Sequence, residues 1–64
     1  NIAALRDALD ALPQKLRTVT VLHYMEGYDV SELSRLLRIP RGTVTSRLHM
    51  ARGRLREILK EDIE

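Results

Sequence analysis

Apolar residues recur at helical spacing along this sequence, and three helix breakers divide the pattern into four segments: Pro13, Gly27 and Pro40. No segment shows the strict alternation of a β-strand. In a chain of 64 residues this pattern predicts a single all-α domain, residues 1–64, made of four helices. The chain has no cysteine, so helix packing or a larger parent protein must stabilise it. It begins at Asn1 rather than Met, and we expect it to be a piece of a longer protein.

The first two helices are predicted over residues 2–11 and about 13–26. The stripe of the first helix that should face a core comprises Ile2, Leu5, Leu9 and Leu12. Pro13 suits the first turn of the second helix, and Gly27 can supply the left-handed residue that ends it. The apolar residues of the second helix wrap most of its circumference, as expected for the central helix of a small bundle. They include Leu16, Val19, Leu22 and Met25.

A capping box predicts the start of the third helix. Asp29 stands three residues before Glu32, so each side chain can bind the other residue's backbone amide, and the helix begins at Val30. It ends near Arg38, because Pro40 disfavours helical geometry at the preceding residue. The residues expected to face inward are Val30, Leu33, Leu36 and Leu37. A fourth helix follows from about residue 40 to about residue 60. Two helices joined by so tight a turn predict a C-terminal helix-turn-helix, without a wing.

The fourth helix divides into a core side and an opposite side when its residues are placed at about 100° intervals. The core side holds Val44, Leu48, Ala51, Leu55, Ile58 and Leu59. We call the opposite side the recognition face; it comprises Gly42, Ser46, His49, Met50 and Gly53. Arg47 and Arg54 border this face on one flank, and Thr45, Arg52 and Arg56 on the other. Small or adaptable side chains between arginines suit a DNA major groove, with bases in the middle and phosphates at the rims.

Charge is distributed unevenly along the chain. No acidic residue occurs between Leu33 and Arg56, and that stretch contains Arg35, Arg38, Arg41, Arg47, Arg52, Arg54 and Arg56. Arginine favours phosphate and base-edge recognition. Arg52 has two interpretations: a phosphate contact, or an internal ion pair with Glu26 or Glu32.

Other classes of function find little support. Two histidines without cysteine or paired acids do not make a metal site, and neither a phosphate-binding glycine loop nor a nucleophile with its base is present. We therefore expect no enzyme activity, cofactor or small-molecule substrate. Apolar runs are far shorter than the roughly 20 residues that span a bilayer, so we expect no membrane contact and a cytoplasmic location.

The sequence resembles region 4 of the sigma-70 family, in particular that of the extracytoplasmic-function sigma factors. The resemblance covers nearly the whole chain. It rests on Leu12–Pro13, Arg17, Val19, Leu22, Glu26–Gly27, Asp29, Glu32, Leu33, Pro40, Gly42–Thr43–Val44, Ser46–Arg47–Leu48 and Ala51–Arg52.

This resemblance implies promoter recognition in bacterial transcription initiation. The domain would bind the minus-35 element while docked on the RNA polymerase β-subunit flap, and an anti-sigma factor would be a further partner. Thr45, Ser46, His49 and Met50 occupy the positions that usually face bases, and Gly42 and Thr43 lie where a phosphate can meet free amides. The complete set of DNA-binding residues expected is Arg41, Gly42, Thr43, Thr45, Ser46, Arg47, His49, Met50 and Arg54.

The sequence departs from the family pattern at three positions. Arg38 stands where glycine is usual in the turn, and Thr45 and Met50 stand where the family commonly has a basic residue. The last two remove positive charge from the surface that would face DNA, so we expect either a different promoter sequence or an unusually low DNA affinity.

Two alternatives remain open at this level. One is the helix-turn-helix output domain of a response regulator, although its dimerising last helix is usually separate. The other is a sigma-like protein-interaction module that an anti-sigma factor targets and that has lost DNA binding. Separate measurements of binding to promoter DNA and to a β-flap fragment discriminate between these functions.

Overall fold

Four helices make up residues 2–63, the part of the chain that this computed structural model describes, with side chains described for residues 2–60. The helices are α1 (Ile2–Asp10), α2 (Gln14–Thr20), α3 (Val30–Leu37) and α4 (Arg41–Ile63). No strand occurs within the described residues. The prediction of an all-α, four-helix domain with a C-terminal helix-turn-helix is confirmed.

The connection between α1 and α2 is short and is held by a side chain of α2. Pro13 occupies the N-cap position of α2, where its missing amide costs no hydrogen bond. The guanidinium of Arg17 donates to the backbone oxygen of Asp10 at 3.3 Å. An arginine at this position satisfies a carbonyl group that the end of α1 leaves open. The contact therefore ties the first turn of α2 to the last residue of α1.

The second helix changes its winding before it ends. It continues beyond Thr20 as a π-helical segment, Val21–Met25, in which the Glu26 amide donates to the Val21 carbonyl at 3.2 Å. Gly27 then turns the chain with φ of 82°, the left-handed conformation predicted for it. The continuous α-helix predicted to residue 26 is thus wrong in its last turn, because the π-helical winding accommodates an additional residue there.

The core consists of two clusters of buried side chains, which share α2 and α4. We call the first the N-terminal cluster; it contains Leu9, Leu12, Leu16 and Ala51. We call the second the helix-turn-helix cluster; it contains Val19, Leu33, Val44 and Leu48. Leu33, Val19 and Val44 are the largest fully buried side chains of the described residues. The predicted core side of α4 is thus confirmed at its buried positions.

Several apolar side chains of the described residues lie outside this core. Ile2 is 80% exposed, Leu5 39%, Met25 57% and Leu36 53%. The expectation that Ile2, Leu5 and Leu36 face inward is wrong. A domain of this size buries only about 60% of the surface its unfolded chain exposes, so its interior does not reach every apolar residue on a helix stripe.

Helix α4 sets the shape of the molecule. It spans 23 residues, and the longest dimension of the chain is 38 Å. The helix starts at Arg41 because the Pro40 carbonyl accepts the amides of Thr43 and Val44, at 3.0 and 3.1 Å. It continues beyond the predicted end at about residue 60. Within residues 2–63 the structure contains no helix with both the length and the apolar character needed to cross a bilayer.

Candidate nucleic-acid interface

The capping box fixes the start of the helix-turn-helix. The Asp29 carboxylate accepts the Glu32 amide at 2.8 Å, and the Glu32 carboxylate accepts the Asp29 amide at 3.0 Å. The reciprocal pair satisfies two amides that the start of α3 would leave open. It also engages both acidic side chains that precede the arginine-rich stretch, so their charge is held at the N-terminus of α3.

Ser34 organises the turn between α3 and α4. Its carbonyl accepts the amides of Arg38 and Ile39, and its hydroxyl donates to the Ile39 carbonyl at 2.6 Å. Ile39 in turn packs against the helix-turn-helix cluster. The chain can then pass from α3 into α4 only through a left-handed residue, and Arg38 has φ of 59° and ψ of 46°. This conformation costs a residue other than glycine about 1 kcal/mol.

The recognition face is accessible. Gly42, Ser46, His49 and Met50 are exposed, and Gly53 is half-buried. Neither the Ser46 hydroxyl nor the His49 ring makes a hydrogen bond within the described part of the chain. Their donors and acceptors are therefore available to a ligand. Met50 is 50% exposed and presents an apolar surface beside them.

The residues beside the recognition face differ in exposure. Arg41, Thr45 and Arg54 are exposed, whereas Thr43 and Arg47 are half-buried. Among the described residues, none of these three arginines pairs with an acid. The structure thus brings all the residues predicted to bind DNA onto α4, with the unpaired cations of Arg41, Arg47 and Arg54 along one helix.

The first turn of α4 limits which amides a phosphate can meet. The Thr43 amide already donates to the Pro40 carbonyl, so it is not free as the sequence suggested. The amides of Arg41 and Gly42 make no backbone hydrogen bond among residues 2–63. A Cβ atom built on Gly42 would meet nothing of the protein within 4 Å, so this end of α4 is open to a close approach.

Arg52 has a partner that the sequence did not predict. Its guanidinium donates to the Tyr24 hydroxyl at 2.9 Å, and within the described residues it pairs with neither Glu26 nor Glu32. The Tyr24 ring also meets the His23 ring edge-on, with centroids 4.7 Å apart, and His23 Nδ1 donates to the Tyr28 carbonyl at 2.7 Å. This chain of contacts links α4 to the π-helical segment and to the loop before α3.

An apolar groove lies beside Arg52. Its volume is about 570 Å³, and it is lined by Leu5, Tyr24, Met25, Arg52, Leu55 and Arg56. A second depression of about 260 Å³ adjoins it at Leu5 and Met25. The sequence did not predict this surface, because the helical spacing of Leu5 placed it on the core side of the first helix. The available signal was the excess of apolar residues around the second helix, more than one small core can cover.

The structure groups no metal ligands in the part of the chain it describes. Nowhere among these residues do three or more histidine, cysteine, aspartate or glutamate side chains come together. His23 serves as a hydrogen-bond donor to the loop, and His49 is exposed on the recognition face.

Comparison with known proteins agrees with this geometry. The family described as "Sigma-70, region 4" matches residues 2–55. The chain is 44% identical over 50 residues to the ECF RNA polymerase sigma factor SigW of Bacillus subtilis. The matched segment covers 78% of the chain and 27% of SigW. It is 42% identical over 57 residues to the ECF RNA polymerase sigma factor SigE of Mycolicibacterium smegmatis, covering 89% of the chain and 22% of SigE.

A third relative is the RNA polymerase sigma-E factor of Streptomyces antibioticus, 43% identical over 58 residues, or 91% of the chain and 32% of the relative. The chain thus spans between a fifth and a third of the length of these curated relatives. The resemblance drawn from the motifs is confirmed, since the family match includes the capping box, the turn and most of α4. The chain belongs to the sigma-70 family, in which it corresponds to region 4.

Proposed function

We propose that this domain recognises promoter DNA in bacterial transcription initiation by placing α4 in the major groove of the minus-35 element. The observation that carries the proposal is the exposed recognition face, whose Ser46 and His49 make no hydrogen bond within the described chain. Exposed donors and acceptors beside unpaired arginines match the arrangement of bases and phosphates in a major groove. Family membership favours this function over the response-regulator alternative.

The residues of α4 take different roles in this proposal. Ser46 and His49 hydrogen-bond base edges, Met50 makes apolar contact with a thymine methyl, and Thr45 lies beside them. Arg41, Arg47 and Arg54 bind phosphates, which position the helix without specifying sequence. Gly42 allows a phosphate close to the open amides at the start of α4, while Thr43 supports that first turn.

A second surface is proposed for RNA polymerase. The apolar groove beside Arg52 is suited to the apolar face of a helix, with Arg52 and Arg56 available to acidic residues at its edge. We propose that the β-subunit flap docks there, in the cytoplasm. An anti-sigma factor that covers the groove or the recognition face would prevent one of the two interactions. The groove is also the observation that favours the alternative of a protein-interaction module.

Selection of duplexes from a random pool tests the DNA proposal. The chain is tethered to RNA polymerase, because attachment raises its effective concentration without new contacts. We expect a short enriched motif that depends on α4. Binding of a β-flap fragment is measured separately, with Met25→Glu as the variant that places a charge in the groove. Promoter recognition would be contradicted if no motif were enriched while the flap fragment still bound the wild type and lost affinity for Met25→Glu. That outcome would favour the protein-interaction module.

A further inference from the structure

Arg38 adopts an unusual conformation that the surrounding structure enforces. Among the described residues it is the only one other than glycine with a positive φ. Ser34 holds the residue in place through its carbonyl, which accepts the Arg38 and Ile39 amides, while the Ser34 hydroxyl fixes the Ile39 carbonyl. Backbone strain persists where the surroundings determine it this fully, and such positions cluster at functional sites.

The side chain of Arg38 has no polar partner in the fold. It is exposed, and within the described part of the chain its guanidinium makes neither a hydrogen bond nor an ion pair. The nearest acidic residues along the chain, Asp29 and Glu32, are engaged with each other's amides. Glycine would take the left-handed conformation with less strain and would cost no polar contact. The domain therefore holds a free cation at a strained position.

The location of Arg38 indicates what this cation meets. It lies in the turn between Arg35, in the last turn of α3, and Arg41, the first residue of α4. All three arginines are exposed, and the open amides of Arg41 and Gly42 follow directly. Cations beside the positive end of a helix form a site for a phosphate group.

We propose that the guanidinium of Arg38 binds a DNA backbone phosphate beside the N-terminus of α4, as a contact outside the recognition helix. The inference rests on the proposed function, since it assumes that α4 enters the major groove. A contact fixed by the turn, rather than by a side chain along α4, sets the depth and register of the helix on the duplex. It carries no sequence information of its own.

The test measures duplex binding and stability on the same variants. Arg38→Asn removes the charge and retains a residue that tolerates the left-handed conformation. We expect it to weaken binding to all duplexes about equally and to reduce the slope of log affinity against log salt by roughly one. Arg38→Gly should have the same effect on binding while raising the melting temperature. Arg38→Lys should keep the salt slope of the wild type.

A matched control separates a contact from a general loss of charge. Lys15→Asn removes one exposed positive charge at the start of α2, a helix that is not part of the helix-turn-helix. An Arg38→Asn variant whose salt slope falls no further than that of Lys15→Asn would overturn the inference. Duplexes with single neutral methylphosphonate linkages add a direct readout: one linkage that weakens wild-type binding should have no effect on Arg38→Asn.

The same series distinguishes the inference from the function on which it rests. If the wild type binds duplexes and Arg54→Ala weakens that binding, while Arg38→Asn matches Lys15→Asn, the DNA-binding function stands and the role of Arg38 is refuted. If the wild type shows no salt-dependent duplex binding, both proposals fail.

Discussion

The guanidinium of Arg52 donates to the hydroxyl of Tyr24 across 28 positions of sequence, at 2.9 Å, and so joins α4 to the π-helical end of α2. Arg52→Ala and Tyr24→Phe should each lower the free energy of unfolding by about 0.5–1.5 kcal/mol, the usual net contribution of an intramolecular hydrogen bond. Urea denaturation of both variants and of the double variant gives the coupling energy. We expect duplex affinity to change little. A large loss of affinity in Arg52→Ala, with Tyr24→Phe unaffected, would instead identify Arg52 as a phosphate contact.

Leu33→Ala should destabilise the domain by roughly 2–5 kcal/mol, because it leaves a cavity in the helix-turn-helix cluster. Leu33 is fully buried, whereas Leu36 on the same helix is 53% exposed. Leu36→Ala is therefore the matched control and should stay within about 0.5 kcal/mol of the wild type. The measurement is urea denaturation followed by circular dichroism. Equal losses in the two variants would mean that α3 packs with a different face.

His49→Ala and Arg54→Ala should affect DNA binding in different ways. His49 lies on the recognition face, so its loss should relax preference at one or two base pairs by roughly 1–3 kcal/mol. Arg54 lies on the flank, so its loss should weaken binding to all sequences equally and reduce the salt slope by roughly one. Competition binding with single-base variants of the selected motif measures both effects. An unchanged motif in His49→Ala would show that this side chain does not contact bases.

Gly42→Ala and Gly53→Ala are a matched pair on α4. An added Cβ meets nothing within 4 Å at either position, so neither change disturbs the packing of the domain. Gly53→Ala should stabilise the helix by roughly 0.5–1 kcal/mol, since glycine is unfavourable in a helix interior. Gly42→Ala should instead weaken duplex binding, because the methyl group obstructs the phosphate proposed to approach there. If Gly42→Ala binds duplexes as the wild type does, no phosphate approaches this turn closely.

Features that depend on neighbouring residues were predictable from the sequence. The capping box needs only Asp29 and Glu32 at the right spacing, and the structure contains both of its hydrogen bonds. Gly27 ends the second helix for an equally local reason. The core side of α4 follows from helical spacing, because Val44, Leu48 and Ala51 recur on one side of a long helix.

Features that depend on how the helices pack were not predictable in this way. The sequence pattern gave no sign of the π-helical winding of Val21–Met25, the segment that carries Tyr24. The partner of Arg52 and the groove beside it follow from the placement of that segment. Leu36 is exposed because α3 has only eight residues, and Leu33 is the one leucine of this helix that is fully buried in the core. Which exposed residues contact bases stays a prediction, since exposure does not specify a ligand.

Helix α4 is uninterrupted between the two surfaces proposed to bind DNA and polymerase. Ser46 lies on the recognition face and Leu55 lines the groove, and the two residues are nine positions apart on one continuous helix, or about 14 Å along its axis. On the proposed function, the length of α4 between these two surfaces fixes the distance and the angle between the promoter and the polymerase. One residue inserted between Ser46 and Leu55 would move the two surfaces about 1.5 Å further apart along the helix axis. It would also rotate one surface by about 100° relative to the other. If both proposed contacts form, the number of residues between them in this single helix sets the distance between the promoter and the polymerase.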